Sequence, residues 1–425
     1  VPPPPTHPAR PTYPLINLRK GELPVVLLSA AQFFCLLCSY FMLRPIRETL
    51  GIQRDFDDLK WLMTATMVAM LLINPLFALL VSKLPRRRFI PITNRFFALN
   101  LLAFAAWFFF ASSTIAAYAF YIWLSVFNLF VVSVFWAFMA DAHGRERSRR
   151  VYGLVAVGGT LGAIAGAAFT NYLTKGIPLG SLTLKLDHHA ILIAAVIALE
   201  ASTQCMKLVA RHVRNDADQS TMPAAEPSPG IMQGLTLLAQ NKYLALIAGY
   251  VLIYAITSTL LSLEQSRMIS EAYPDRAART QAFANVEMLR QSAALLVQIF
   301  LTANIVRWIG LTATLTILPI VTLGGFIALQ AHPALAVLIW FQVIRHATHH
   351  ALDRPAREML YTAVGPDERY KSKPFIDTFI YRGGDVIGTW LPTVLPVAIT
   401  ASLAWAAIAI TTGRLNKKRN AVIDA

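Results

Sequence analysis

Apolar runs of roughly 20 residues, the length a helix needs to cross a bilayer, recur along the whole of this 425-residue chain. In order they occupy 23–43, 61–80, 96–111, 115–140, 152–172 and 190–209, then 243–263, 282–306, 311–330, 333–350, 375–395 and 396–412. Only 14% of residues are charged, against about 25% in soluble domains. Much of the surface must therefore face lipid. The spacing predicts an all-α polytopic membrane protein of 12 transmembrane helices, arranged six plus six.

A duplication accompanies the count. GRERSRRVYGLVAVGGTLG, after the fourth run, is echoed in DRPAREMLYTAVGPDERYKSKPFIDTFIYRGGDVIG (353–388), which reads as running from the tenth run across a loop into the eleventh. Both read Glu-Arg, basic residues, an aromatic or apolar turn, then Gly-Gly and a further Gly. Charged joints at matching places in two halves point to internal repeats. The implied division is a Pro-rich disordered tail (1–22), a first six-helix half (23–209), a cytoplasmic linker (210–241), a second six-helix half (242–413) and a basic tail (414–425). The chain opens on VPPPPTHPARPTY without a Met. That start implies trimming or an alternative start codon, and the first apolar run reads as a span rather than a cleaved signal.

The formal net charge is +15, and its distribution orients the chain. With the N-terminus inside, the Lys and Arg of the joints, of KLPRRR (83–88) and of the C-terminal tail fall on one face. Both termini are expected in the cytoplasm. Gly158, Gly162 and Gly166, at four-residue steps, predict a close helix-packing face and not a phosphate loop, which needs Gly-Lys-Ser/Thr. Cys35 and Cys38 read as packing residues inside an apolar helix.

Charges at membrane depth are costly and mark function. The candidates are Arg44, Arg47, Glu48, Asp141, Glu200, Glu264, Glu287, Arg290, Arg345, Asp377, Arg382 and Asp385. Arg44, Arg47, Arg290 and Arg382 are the expected anion-binding residues, because guanidinium matches phosphate through a bidentate fork. Glu48, Glu287, Asp377 and Asp385 are the expected counter-charges or coupling groups. Asp141, Arg149, Arg150, Asp353, Arg354 and Arg357 are the expected cytoplasmic gate. His346, His349 and His350 have metal-ligand spacing, but the surrounding arginines oppose a metal and favour a titrating role. No metal or cofactor is expected. No Ser-His-Asp spacing, P-loop or HExxH occurs, so no enzyme is expected.

YFMLRPIRETL, FWAFMADAHGRERSRRVYGLVAVGGTLGAIAG and REMLYTAVGPDERYKSKPFIDTFIYRGGDVIG resemble the ATP/ADP translocases, the nucleotide-exchanger branch of the major facilitator superfamily. The resemblance covers spans one, four–five and ten–eleven closely. It departs where Arg47-Glu48 stands in place of Lys-Asp and where Asp141 stands in place of an amide. It implies a monomeric secondary transporter in a bacterial inner membrane, moving an anionic, phosphorylated, nucleotide-like solute. The expected partners are that solute and lipid, with no nucleic acid. A proton-coupled exporter and a lipid flippase are the alternatives on the same fold.

Overall fold

The computed structural model describes residues 22–54, 56–83, 86–111, 113–179, 182–184, 188–216, 231–301, 305–392 and 395–423. The first half contains α1 (Leu23–Gly51), α2 (Phe56–Lys83), α3 (Arg86–Phe110), α4 (Thr114–Lys175) and α5 (His188–Asp216). Between α4 and α5 lies a hairpin of β1 (Ile177–Leu179) and β2 (Leu182–Leu184), paired antiparallel with Ile177 opposite Leu184. The short α6 (Ile231–Gln240) leads into α7 (Lys242–Ala272), α8 (Arg276–Leu301), α9 (Ile305–Ala331) and α10 (Leu335–Thr348). Then come α11 (Arg354–Leu360), α12 (Pro366–Phe375), α13 (Tyr381–Trp390) and α14 (Leu395–Ile423).

Helix α4 carries two spans. Trp136 and Tyr152 would stand about 24 Å apart on a straight helix at 1.5 Å per residue. Their ring centroids are 5.1 Å apart, so the chain doubles back between them. Phe33 of α1 confirms the hairpin: it stacks on Phe135 at 4.2 Å and also abuts Gly159. With α4 counted twice, the spans number twelve. Eight helical segments of the described residues are long and apolar enough to cross a membrane. Helix α2 is not among them, its side chains beyond Ile73 lying outside the described residues, and neither is α8, which carries Glu287 and Arg290 into the interior. The tenth and eleventh spans are missing from that set because each is broken into short turns.

Those breaks correct an expectation. The second joint is not a loop but a run of helical turns. A π-helical turn at His349–Asp353 ends α10, a 3-10 turn at Tyr361–Ala363 follows α11, and a second π turn at Ile376–Ile380 joins α12 to α13. π turns widen a helix by one residue and recur at functional sites.

The glycine face packs as its spacing predicts. A Cβ at Gly158, Gly162 or Gly166 would lie 2.5, 2.2 and 2.4 Å from the carbonyl oxygens of Ala30, Phe34 and Cys38 on α1. The second half repeats the device: a Cβ at Gly384 or Gly388 would lie 2.7 and 2.9 Å from Leu252 O and Ile256 O on α7. Each half thus seats its fifth span on the backbone of its first. Each also has apolar core of its own, around Phe120, Phe127 and Phe135 in one and around Tyr250, Leu315 and Trp405 in the other. Leu72, Leu99, Phe110, Ile115 and Ile197 are exposed on the flanks, as lipid-facing side chains must be.

The described contacts between halves gather at one end, where α1 turns into α2 and α7 into α8. Ile52, Leu59, Leu62 and Tyr121 pack there on Leu263, Ile269 and Phe283. Thr280 Oγ1 meets Thr49 Oγ1 at 2.9 Å, Arg279 Nη1 donates to Ile52 O at 3.3 Å, and Trp390 Nε1 donates to Thr64 Oγ1 at 3.0 Å.

Candidate functional site

A cavity of about 160 Å³ lies between the halves, directly beneath that closed end. Arg44, Arg47, Glu48, Met63 and Tyr121 line it from the first half; Ser262, Gln265, Glu287 and Arg290 line it from the second. Arg44, Arg47 and Glu48 share a face of α1 because their spacing is i, i+3, i+4. Glu287 and Arg290 share a face of α8 for the same reason.

Glu287 is the centre of the site. Its carboxylate is buried and accepts from Arg44 Nη1 at 3.0 Å across the halves and from Gln291 Nε2 at 2.7 Å; Arg290 Nη1 stands 3.5 Å away. Arg47 has a separate set of partners. Its Nη1 bonds Glu48 Oε1 at 2.8 Å, its Nε donates to Tyr121 O at 3.1 Å, and its guanidinium lies 3.9 Å from the centre of the Tyr121 ring. That stacking holds the fork flat against the cavity wall.

Arg290 Nη2 also contacts His346 Nδ1 at 3.2 Å. Arginine can only donate, so Nδ1 is the acceptor in this bond. The other histidines are committed too: His349 Nδ1 bonds Asp353 at 3.0 Å and its ring stacks 4.5 Å from that of Tyr254.

The remaining expected residues lie away from this cavity. Arg382 pairs with Asp385 at 3.0 Å on α13, and Thr259 donates to the same carboxylate at 3.2 Å. Arg357 stands 3.8 Å from Asp377. Asp353 is buried in its own half, bonded to Tyr250 and His349. Arg354 is exposed at the start of α11. The side chains of Asp141, Arg149 and Arg150 lie outside the described residues. Glu200 proves peripheral, bonded to the exposed Arg95 at 3.2 Å. The sequence reading overlooked Tyr121 and the buried Gln265–Gln342 pair (2.6 Å). A glutamine inside an apolar run was a legible signal; an aromatic in such a run was not.

Two six-helix halves around a charged central cavity define a multi-pass membrane protein of the major facilitator fold. A point mutant of the nucleoside transporter NupG superposes over 93% of this chain and 99% of its own, with a TM-score of 0.57 and 13% identity. A bacterial homologue of the human lysosomal transporter Spinster, inward-facing and unoccupied, covers 94% and 99% with a TM-score of 0.55 and 12% identity. The chain belongs to the TLC ATP/ADP transporter family, which matches residues 107–413. ADP,ATP carrier protein 1 of Chlamydia pneumoniae is 20% identical over 297 residues, 63% of this chain and 58% of that carrier. The chain thus spans under two thirds of the length of the curated relative it matches.

Proposed function

We propose that this protein is a secondary transporter that exchanges an anionic, phosphorylated, nucleotide-like solute by alternating access. The observation that carries the reading is the Glu287 carboxylate, bound by an arginine from each half. A phosphate offers the same charge and the same paired oxygens to a guanidinium fork. In the empty protein Glu287 occupies the arginines; the solute displaces it. A cavity of about 160 Å³ is below the roughly 300–1,000 Å³ of ligand pockets, so solute binding requires the halves to part. Family membership and likeness to an ADP,ATP carrier support the nucleotide class.

The halves (23–209 and 242–413, joined by 210–241) rock about this site. The positive-inside distribution assigns the joints to the cytoplasmic face of a bacterial inner membrane, with both termini inside. The closed end is then the periplasmic one, and the joints, from Asp141 to Arg150 and from Asp353 to Lys373, form the cytoplasmic gate. Glu48, Asp377 and Asp385 keep Arg47, Arg357 and Arg382 neutralised on the path.

The test is uptake of labelled ATP into proteoliposomes preloaded with ADP. Uptake is expected only with the preload. Arg44→Ala and Arg47→Ala are each expected to reduce it at least about tenfold, the loss of one charge-assisted hydrogen bond, while the protein still folds and inserts. Full uptake in both variants would favour the exporter or flippase. Topology has its own readout: cysteines at Ser113 and Pro333 should label from outside, and one at Ala142 only after permeabilisation.

A further inference from the structure

Arg345 sits within the tenth span, 7% exposed. Its charge has no carboxylate partner among the described residues. Five other arginines of the interior have one: Arg47 at 2.8 Å, Arg44 and Arg382 at 3.0 Å, Arg290 at 3.5 Å and Arg357 at 3.8 Å. Arg345 instead rests on neutral oxygens. Its Nε donates to Thr322 Oγ1 at 3.1 Å, and its Nη2 to Thr257 Oγ1 at 3.1 Å, Ser258 Oγ at 3.0 Å and Tyr254 O at 3.4 Å, with the Tyr254 ring centre 5.1 Å from the guanidinium. Hydroxyls solvate a guanidinium partially, but a buried cation without an anion costs several kcal/mol. Asp353, which follows on the same span, is occupied by Tyr250 and His349.

Position shows what the charge is for. Ser258 precedes Ser262 by one turn on α7, and Ser262 lines the cavity. Gln342 precedes Arg345 by one turn on α10 and bonds Gln265, another lining residue. His346, next in sequence, bonds the lining residue Arg290. Arg345 therefore stands about one turn, ~5.4 Å, behind the cavity wall, on the side away from the closed end. Two further donors of this wall, Arg290 Nε and His346 Nε2, are buried with no partner among the described residues. A guanidinium without a carboxylate stands here beside two orphaned donors, and buried polar groups are seldom left unmatched.

We propose that this wall is a second anion subsite, with Arg345 as its charge, and that it selects solutes carrying a second phosphoryl group. The first phosphate displaces Glu287 at Arg44 and Arg290; the second extends along the wall toward Arg345, which the Thr257 and Ser258 hydroxyls hold in place as acceptors. Discrimination arises because a solute with one phosphate leaves Arg345 unneutralised. This assignment rests on the phosphorylated-solute reading above and adds the residue that counts phosphates.

The test is calorimetric titration of the purified full chain in nanodiscs with ADP and with AMP, alongside thermal unfolding without ligand. In wild type, ADP should bind at least about tenfold more tightly than AMP. Arg345→Gln should weaken ADP by about 10–100-fold, the worth of a charge-assisted hydrogen bond, and AMP less than about twofold. The ligand-free Tm of that variant should stay level or rise, since it loses an uncompensated buried charge. Arg345→Lys should recover part of the ADP affinity, charge without fork. Equal losses for ADP and AMP, or an unchanged ADP affinity, would overturn the subsite. A falling ligand-free Tm would do so as well, by revealing an internal partner. If wild type binds neither nucleotide, the nucleotide reading falls and takes this one with it; if wild type binds both alike, only this one falls.

Discussion

Replacing Glu287 by alanine is expected to destabilise the empty protein by about 3–5 kcal/mol, the cost of removing one partner from a buried ion pair. The effect should lie at the upper end, because one carboxylate serves both Arg44 and Arg290 and nothing else among the described residues neutralises either. Thermal unfolding of the purified protein measures it. ADP should recover more Tm in Glu287→Ala than it adds to wild type, because the solute no longer competes with an internal anion and because ligand binding stabilises by mass action. Exchange should slow even as affinity rises: no carboxylate returns to push the product out. The double variant Arg44→Ala/Glu287→Ala should regain part of the lost stability. A single Glu287→Ala variant with unchanged Tm would show that the pair does no work in holding the halves.

The second large effect concerns Gly162. A Cβ there would lie 2.2 Å from Phe34 O and 2.8 Å from Phe34 Cα. Backbone cannot rotate away as a side chain can. Gly162→Leu should therefore exceed the about 1–3 kcal/mol of ordinary overpacking and prevent the first half from assembling. The readout is the yield of folded protein after solubilisation. Gly324→Ala is the control. Its Cβ meets nothing within 4 Å, and alanine in a helix is favoured over glycine by roughly 0.5–1 kcal/mol. Its Tm should rise or stay level. A folded Gly162→Leu protein at wild-type yield would mean that α1 and the fifth span do not touch as closely as described.

How much of this was legible depended on range. The twelve spans and the glycine face follow from local periodicity, which survives any tertiary arrangement. Arg47–Glu48 and Arg382–Asp385 were readable as neighbours on one helix. The Arg44–Glu287 bond was not, because it joins the first span of one half to the second span of the other, and no spacing encodes that. Asp353 was readable as a gate acid because it borders a charged run; its bonds to Tyr250 and His349 were not, because they run through a helical turn whose π character leaves no trace in composition. Arg345 was visible as a membrane-depth charge, but its lack of a carboxylate only the packed wall reveals.

The π turn at Ile376–Ile380 constrains how this chain can change length. It holds one residue more than an α-helix needs, and each residue advances a helix by about 100°. At its start, Asp377 stands 3.8 Å from Arg357; downstream, Gly384 and Gly388 mesh with α7. The extra residue is the phase shift that lets both engagements hold at once, like a tooth that sets two gears in time. Deleting one of the residues 378–380 would restore a regular helix and rotate the glycines about a quarter-turn off α7 relative to Asp377. Viable descendants of this chain should therefore keep the count here.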